Sequence, residues 1–214
     1  MQQWMVDHPF EGQLDLIPAY CSLTVIYNPG LVKRRYQPSS TVFEWVENHL
    51  RRSYEESMVE ARQASPLVEI PVCYDAPFAP DLEAMALAKG ISTEEIIQLH
   101  LSGEYRVYTI GFLPGFSYMA PIHEKLVMPR KPRPVPVTAG SIGIAGHQTG
   151  IYPLNSPGGW HIIGRTPIMQ FDPDAPEMVK LKVGDRVSFY RIGTDEMLRL
   201  EGKEDEKFIL ESQK

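Results

Sequence analysis

The chain has 214 residues, enough for one large or two small domains. Hydrophobic residues make up 43% and charged residues 22%, which is typical of a folded globular protein. The net charge of -6 argues against a nucleic-acid binder, which normally shows the opposite balance or a clear basic stripe. No apolar run reaches the roughly 18 residues of a membrane helix and no secretory signal is visible, so we expect a cytoplasmic protein. Two cysteines, Cys21 and Cys73, predict neither a disulfide framework nor a zinc site.

The charge is unevenly distributed along the chain. Residues 107–171 contain one acid, Glu124, and five bases, which gives this block a charge of +4 and leaves -10 for the rest. The same block holds nine of the 16 glycines and nine of the 19 prolines. Positive charge and special backbone geometry therefore coincide, and we look for a site there.

The first third of the chain predicts a small α+β domain. Residues 14–27 are typical of two short strands broken near Pro18, and residues 28–30 form a turn signal. Residues 41–52 place apolar side chains on one helical face, so they predict a helix. The polar residues 53–66 then predict a linker.

The linker divides the chain into an α+β domain of residues 1–65 and a second domain of residues 66–214. The second domain opens with a strand at residues 67–72, and a helix pair follows at 80–102. Within this pair Ser92-Thr93-Glu94-Glu95 is a capping box, which marks the start of the second helix.

From Tyr105 onward, many short strands alternate with glycine and proline, which predicts a barrel or a sandwich. The strand-like segments are YRVYTIGF, SIGIAG, WHIIGRT and DRVSFYRI. The charged tail, residues 201–214, is expected to fray.

Four segments of the basic block could carry chemistry. The first, residues 111–118, contains two glycines and a proline, so we expect a loop rather than a strand to present its aromatic side chains. These aromatics either line a ligand pocket or plug one end of a barrel. The candidate substrate-binding residues here are Phe112, Pro114 and Phe116.

The second segment, residues 129–136, alternates prolines with bases and is held extended, close to polyproline II. An arginine fixed in this way can offer its planar fork to a carboxylate or a phosphate. We take Arg130 as the site candidate, because we expect it to lie next to the aromatic loop, whereas we expect Lys131 and Arg133 to belong to a solvated loop or a docking strip for a partner.

The third segment, residues 139–153, has glycines at every third position at first, which matches neither dinucleotide-binding nor phosphate-loop spacing. These glycines either let the backbone approach a ligand or let strands bend at a barrel corner. Gln148, Thr149 and Tyr152 follow as hydrogen-bonding groups that could orient a polar substrate and stabilise developing negative charge.

The fourth segment, residues 155–166, begins with a Ser-Pro-Gly-Gly turn and continues as a strand. An apolar stretch follows Arg165, so we expect its side chain to be partly buried and to need an anion, which another part of the chain, a ligand or a partner must supply. Ser156, Trp160 and Thr166 are the candidate substrate-binding residues of this segment. The scattered histidines show no metal-binding spacing, so we assign no metal site.

Long stretches of the sequence resemble the family of the 5-oxoprolinase B subunit, also described as allophanate hydrolase subunit 1 or kinase-A-inhibitor-like. The resemblance is carried by GFLPGFSYM, PRKPRPVPVTAGSIGIAGHQTGIYP and SPGGWHIIGRTP. It extends to LIPAYCSLTVIYNP near the start and to LKVGDRVSFY, so it covers nearly the whole chain.

The resemblance implies a mainly β, cyclophilin-like barrel as the C-terminal domain, after the smaller α+β domain. It also implies a complex with subunits C and A that uses ATP together with Mg²⁺ to open the lactam of 5-oxoproline and give L-glutamate. The small anionic substrate agrees with the basic block. The catalytic candidates are Arg130, Gln148, Thr149, Tyr152 and Arg165.

Two further expectations follow from the resemblance. Family members usually begin with a strand and a helix, so the N-terminus here looks shortened and an unpaired sheet edge is expected. Some relatives are described as inhibitors of a sporulation histidine kinase, which makes a kinase-binding module the alternative function. A lone prolyl isomerase would follow from the implied barrel alone, and a fold does not fix a function.

Overall fold

The structure, a computed structural model, describes residues 1–19, 22–60 and 67–211. The chain divides into two compact units, residues 1–64 and 65–214. The predicted domain boundary between residues 65 and 66 lies outside the described residues. No helix of the described ranges is long and apolar enough to cross a membrane.

The first unit combines three helices with a two-stranded antiparallel sheet. Its elements are α1 (Gln2–Asp7), β1 (Gln13–Pro18), β2 (Leu23–Tyr27), α2 (Pro29–Tyr36) and α3 (Val42–Glu60). Within the described residues no third strand joins this sheet, and a helix, not a strand, precedes β1.

Two local predictions for the first unit are wrong. The turn at residues 28–30 is the start of α2, because the Asn28 side chain accepts hydrogen bonds from the backbone N–H groups of Gly30 and Leu31. The helix predicted to end at residue 52 continues to Glu60. Residues 53–60 are therefore not linker, and the remaining predicted linker residues, 61–66, lie outside the described part.

The second unit contains a closed barrel of seven strands in the order β10-β3-β11-β4-β5-β8-β7. All neighbouring strands are antiparallel except β3 and β11, which run parallel. The barrel strands are β3 (Leu67–Cys73), β4 (Tyr105–Ile110), β5 (Ser117–Ala120), β7 (Ser141–Ala145), β8 (Gln148–Ile151), β10 (His161–Arg165) and β11 (Arg186–Ile192).

The other elements of this unit lie around the barrel. They are α4 (Leu82–Lys89), α5 (Thr93–Leu101), a 3-10 turn (Glu124–Leu126), the paired short strands β6 (Val135–Val137) and β9 (Ser156–Gly158), and α6 (Thr194–Glu211). The predicted barrel is confirmed. The tail predicted to fray from residue 201 is instead helical to Glu211, and the last three residues are not described.

The barrel wall separates two apolar clusters because alternate residues of a strand point to opposite faces. Ile142, Ile144 and Ile151 belong to the interior cluster, which also takes in side chains of α4 and α5. The second cluster lies on the outer side of β7 and β8 and consists of Phe116, Val137, Ala145, Tyr152, Trp160 and Ile162.

A buried histidine connects the helix pair to the barrel interior. His100, at the end of α5, is fully buried and stacks on Phe189 with 4.6 Å between ring centroids. Its Nδ1 lies 2.7 Å from the Tyr74 hydroxyl, and its Nε2 lies 3.2 Å from Thr149 Oγ1. Burial lowers the pKa of His100 to about 3, so the ring is neutral near pH 7.

The depressed pKa of His100 makes the barrel unit sensitive to acid. The ring is protonated near pH 6.5 in the unfolded chain but only near pH 3 in the folded protein. Its contribution to the free energy of unfolding is therefore fully present above about pH 7 and decreases as the pH falls from 6.5 to 3. From pH 7 to pH 5 we expect a loss of about 2 kcal/mol from this one ring. Hydrogen exchange of the backbone amides of β4 and β11, followed between pH 7 and pH 5, measures this loss in the free energy of unfolding.

His100→Gln, which retains a hydrogen-bonding side chain, should flatten this pH dependence, because it removes the ring whose pKa is lowered by burial. Equal slopes for the parent and His100→Gln would contradict the assignment.

Candidate functional site

An aromatic pocket lies on the outer side of the barrel wall. Gly143 and Gly150 face each other across β7 and β8, and Trp160 lies against both. A Cβ at Gly143 would come within 2.9 Å of Trp160 Cβ, and one at Gly150 within 3.1 Å of the indole. Glycine at both positions therefore lets the indole pack directly on the wall.

The other rings of the pocket surround Phe116. Its centroid lies 5.3 Å from Trp160, 5.0 Å from Tyr152 and 4.7 Å from Tyr118, each with edge-to-face geometry. The cavity has a volume of about 330 Å³, at the small end of ligand pockets. It is lined by Phe112, Phe116, Tyr118, Arg130, Lys131, Pro132, Pro134, Tyr152, Pro157, Gly158, Gly159 and Trp160.

Arg130 is the cation of this pocket that remains available to a ligand. Its guanidinium carbon lies 5.8 Å from the Trp160 ring centroid, and the side chain is exposed. Among the described residues no carboxylate forms an ion pair with it. An anion entering the pocket would therefore meet an unpaired guanidinium beside aromatic faces.

Lys131, the other base lining the pocket, has a structural role. Its Nζ lies 2.5 Å from Asp81 Oδ2, and both side chains are more than four-fifths buried. The same carboxylate oxygen accepts the backbone N–H of Ile162 at 2.7 Å. Asp81 therefore connects the proline-rich basic strip, residues 129–136, to β10.

Burial raises the pKa of both tyrosines in the pocket, and the Arg130 charge acts in the opposite direction. Both hydroxyls thus remain protonated at neutral pH and can donate hydrogen bonds. The sequence predicts Tyr118 on a loop with Phe112 and Phe116, but it lies on β5, whereas the other two precede that strand.

Phe112 has unusual backbone geometry for a bulky residue. Its φ is +70°, in the left-handed region, and its side chain is 65% exposed. The ring makes an edge contact with Phe116 at 5.7 Å. A strained residue that presents an apolar ring to solvent beside a cavity is typical of a binding site. Pro114 is exposed on the same loop.

The other predicted hydrogen-bonding residues lie outside this pocket. Thr149 is fully buried inside the barrel, where its hydroxyl donates to the Gly143 carbonyl and lies beside His100. Gln148 is partly buried and does not line the cavity. Ser156, on β9, has a buried Oγ without a hydrogen-bond partner among the described residues.

Arg165 and Thr166 line a different cavity from Arg130. The Arg165 guanidinium donates through Nε to the Ala139 carbonyl at 2.9 Å, and Nη2 lies 2.8 Å from Glu201 Oε1. The sequence left open whether another part of the chain, a ligand or a partner supplies the anion for Arg165. In this structure it is Glu201, another part of the chain. The structure therefore does not bring the two predicted anion-binding arginines together.

Two residues of these sites were missed from the sequence. Asp81 and Glu201 lie far along the chain from the groups that they contact, by 50 residues for Asp81 and Lys131. No local pattern marks such pairs.

Comparison with known proteins identifies the family. The carboxyltransferase domain, subdomain C and D, matches residues 1–181. The B subunit of 5-oxoprolinase from Bacillus subtilis is 42% identical over 88% of this chain and 80% of that protein. The Escherichia coli O157:H7 protein of the same name is 40% identical over 88% of this chain and 82% of its own length. The chain belongs to the 5-oxoprolinase B subunit family. The resemblance seen in the sequence is confirmed.

Some solved structures contain a similar fold within longer chains. A crystal structure of TTHA0988 is similar with a TM-score of 0.67 and 36% identity, covering 89% of this chain and 35% of that one. The present chain thus spans about a third of TTHA0988. The Kluyveromyces lactis urea carboxylase, at 16% identity and a TM-score of 0.64, matches 92% of this chain and 20% of its own, and shares the fold.

For this member of the 5-oxoprolinase B subunit family, the packing of Tyr152 on Gly158 gives a test of the pocket wall. A Cβ at position 158 would lie 2.4 Å from the Tyr152 hydroxyl oxygen, so Gly158→Ala must displace the tyrosine. We expect a loss of about 1 to 3 kcal/mol in the free energy of unfolding, measured by urea denaturation.

Gly111→Ala is the matched control, because a Cβ at position 111 meets no atom within 4 Å. Gly111→Ala should unfold at the parental urea concentration, and equal behaviour of the two variants would contradict the packing.

Proposed function

We propose that this chain is the B subunit of an ATP-dependent 5-oxoprolinase and contributes a substrate pocket to the hydrolysis of 5-oxoproline to L-glutamate. The proposal rests on the named relatives and on one observation, the unpaired Arg130 at an aromatic cavity. We further infer that the barrel is cyclophilin-like, and that the complex is cytoplasmic and includes subunits A and C.

The chemistry of the pocket fits a small carboxylate with an apolar ring. Arg130 can hold the carboxylate of 5-oxoproline with two parallel hydrogen bonds. Phe112, Phe116 and Trp160 offer faces to the methylene groups of the ring. The protonated hydroxyls of Tyr118 and Tyr152 can donate to the lactam oxygen, where negative charge develops when the amide is attacked.

The pocket does not fit a nucleoside triphosphate. It offers a single unpaired cation, since Lys131 is held by Asp81. The described residues also contain no group of three acids, histidines or cysteines that could hold a metal ion. ATP supplies the activation that a resonance-stabilised lactam needs, and we propose that the other members of the complex bind it.

The remaining predicted residues take supporting places in this proposal. Thr149 and His100 stabilise the interior behind the pocket wall, and Arg165 lies at a separate cavity. For Gln148, Ser156 and Thr166 a contact with substrate would need the assembled complex.

The proposal is tested by reconstitution with subunits A and C, measuring glutamate release that depends on ATP and 5-oxoproline while each component is omitted in turn. In the full complex, we expect Arg130→Gln to lower kcat/KM for 5-oxoproline by about tenfold or more, mainly through KM, because a charged hydrogen-bonding partner of the substrate is lost.

Arg133→Gln is the matched control, as Arg133 lies on the same proline-rich strip, is exposed and does not line the cavity. The two variants have the same net charge, so a general electrostatic effect would lower both equally. Parental kinetics for a folded Arg130→Gln complex would refute the assigned pocket.

The alternative function, inhibition of a sporulation histidine kinase, would use the exposed basic strip as a docking surface. The same two variants separate the functions. A kinase-docking strip should depend on Arg133 as well as Arg130, and the readout is autophosphorylation of a purified kinase with increasing amounts of this chain.

A further inference from the structure

A second cavity of the barrel unit contains an arginine paired with a glutamate of the C-terminal helix. The cavity has a volume of about 430 Å³ and holds Arg165 and Glu201. Apart from this pair, no ionisable side chain of the described residues lines it, and much of the lining is apolar: Pro153, Leu154, Pro167, Ile168, Met169 and Phe171.

The Arg165 guanidinium is fixed before any ligand arrives. Its Nε donates to the Ala139 carbonyl. The backbone beneath it is held by a hydrogen bond from Thr166 N–H to the Gly140 carbonyl at 2.9 Å. Gly140 has a φ of +80°, and a Cβ there would lie 2.3 Å from the Thr166 carbonyl oxygen, so this approach requires glycine. A fixed guanidinium loses little entropy when it binds an anion.

The carboxylate that pairs with Arg165 belongs to Glu201, which lies outside the part of the chain that the family model matches. That match ends at residue 181, and Glu201 lies on α6. Both side chains of the pair remain about a quarter exposed. Because Glu201 lines the cavity and its side chain is partly exposed, a dissolved carboxylate can compete with it for Arg165.

We propose that this cavity is a second carboxylate-binding site, in which Glu201 occupies the place of a small carboxylate with an uncharged, largely apolar body. The ligand's carboxylate pairs with Arg165, its body contacts the apolar lining, and Glu201 turns to solvent. The site goes beyond the proposed function, because it is separate from the Arg130 pocket and does not depend on it.

Glu201 acts as an internal competitor, so its removal should strengthen binding. The probe is cyclopentanecarboxylate, measured by isothermal titration calorimetry on the full chain. Every variant carries Arg130→Gln, which removes the anion partner of the aromatic pocket. In this background we expect Glu201→Gln to lower the dissociation constant by about tenfold, since Arg165 becomes fully available.

Glu196→Gln is the matched control, because Glu196 lies on the same helix and pairs with Arg199 instead. It changes the net charge equally and should leave the dissociation constant unchanged. Adding Arg165→Gln to Glu201→Gln should abolish the tight binding, with circular dichroism to verify the fold.

Three results would overturn the proposal. Glu201→Gln binding no tighter than Glu196→Gln would show that Glu201 is a fixed structural partner. Weaker binding in Glu201→Gln would show that the acid takes part in holding the ligand. Persistence of the tight binding without Arg165 would place the probe elsewhere.

Discussion

The contact of Trp160 with the facing glycines 143 and 150 is the constraint on which the outer half of the barrel unit depends. A sheet normally keeps neighbouring layers about 10 Å away through the side chains on its surface. With no side chain at these two positions, the indole lies directly on the wall. Phe116 and Tyr152 then pack on the indole side of the wall, and the pocket opens among these rings.

The same wall explains why neighbours in sequence have different environments. Thr149 and Ile151 point into the barrel, and Gly150 faces outward, where Tyr152 joins the outer cluster. A glycine-rich segment of this kind can be read as one continuous ligand loop. Strand alternation divides it instead into interior residues that stabilise the barrel and exterior residues that can meet a ligand.

Capping residues predicted the start of one helix correctly, but local sequence features led to wrong predictions for two others. The Ser92 cap was recognisable, and its side chain accepts the Glu95 N–H at 3.0 Å. Asn28-Pro29-Gly30 is ambiguous, because asparagine followed by proline begins turns and helices alike. The polar end of α3 lacks a clear apolar stripe but carries ion pairs one helical turn apart, such as Arg52 with Glu56.

Charge counting pointed to the region that contains the candidate pocket, but it could not say which of the bases there is unpaired. Three of the five bases in the basic block pair with acids from outside it: Lys125 with Glu95, Lys131 with Asp81 and Arg165 with Glu201. The first two pairs join residues 30 and 50 positions apart, which only the fold brings together.

Within the described residues, the unpaired positive charge of the block therefore remains on Arg130 and Arg133, both on the proline-rich strip. Of these two, Arg130 alone lines a cavity described in the structure. A cation without a partner retains its full attraction for an incoming anion, whereas a paired one must first give up its carboxylate. This difference separates Arg130 from Arg165, which the sequence treated alike, and it supports our proposal that Arg130 binds an anion directly whereas at Arg165 an anion must compete with Glu201.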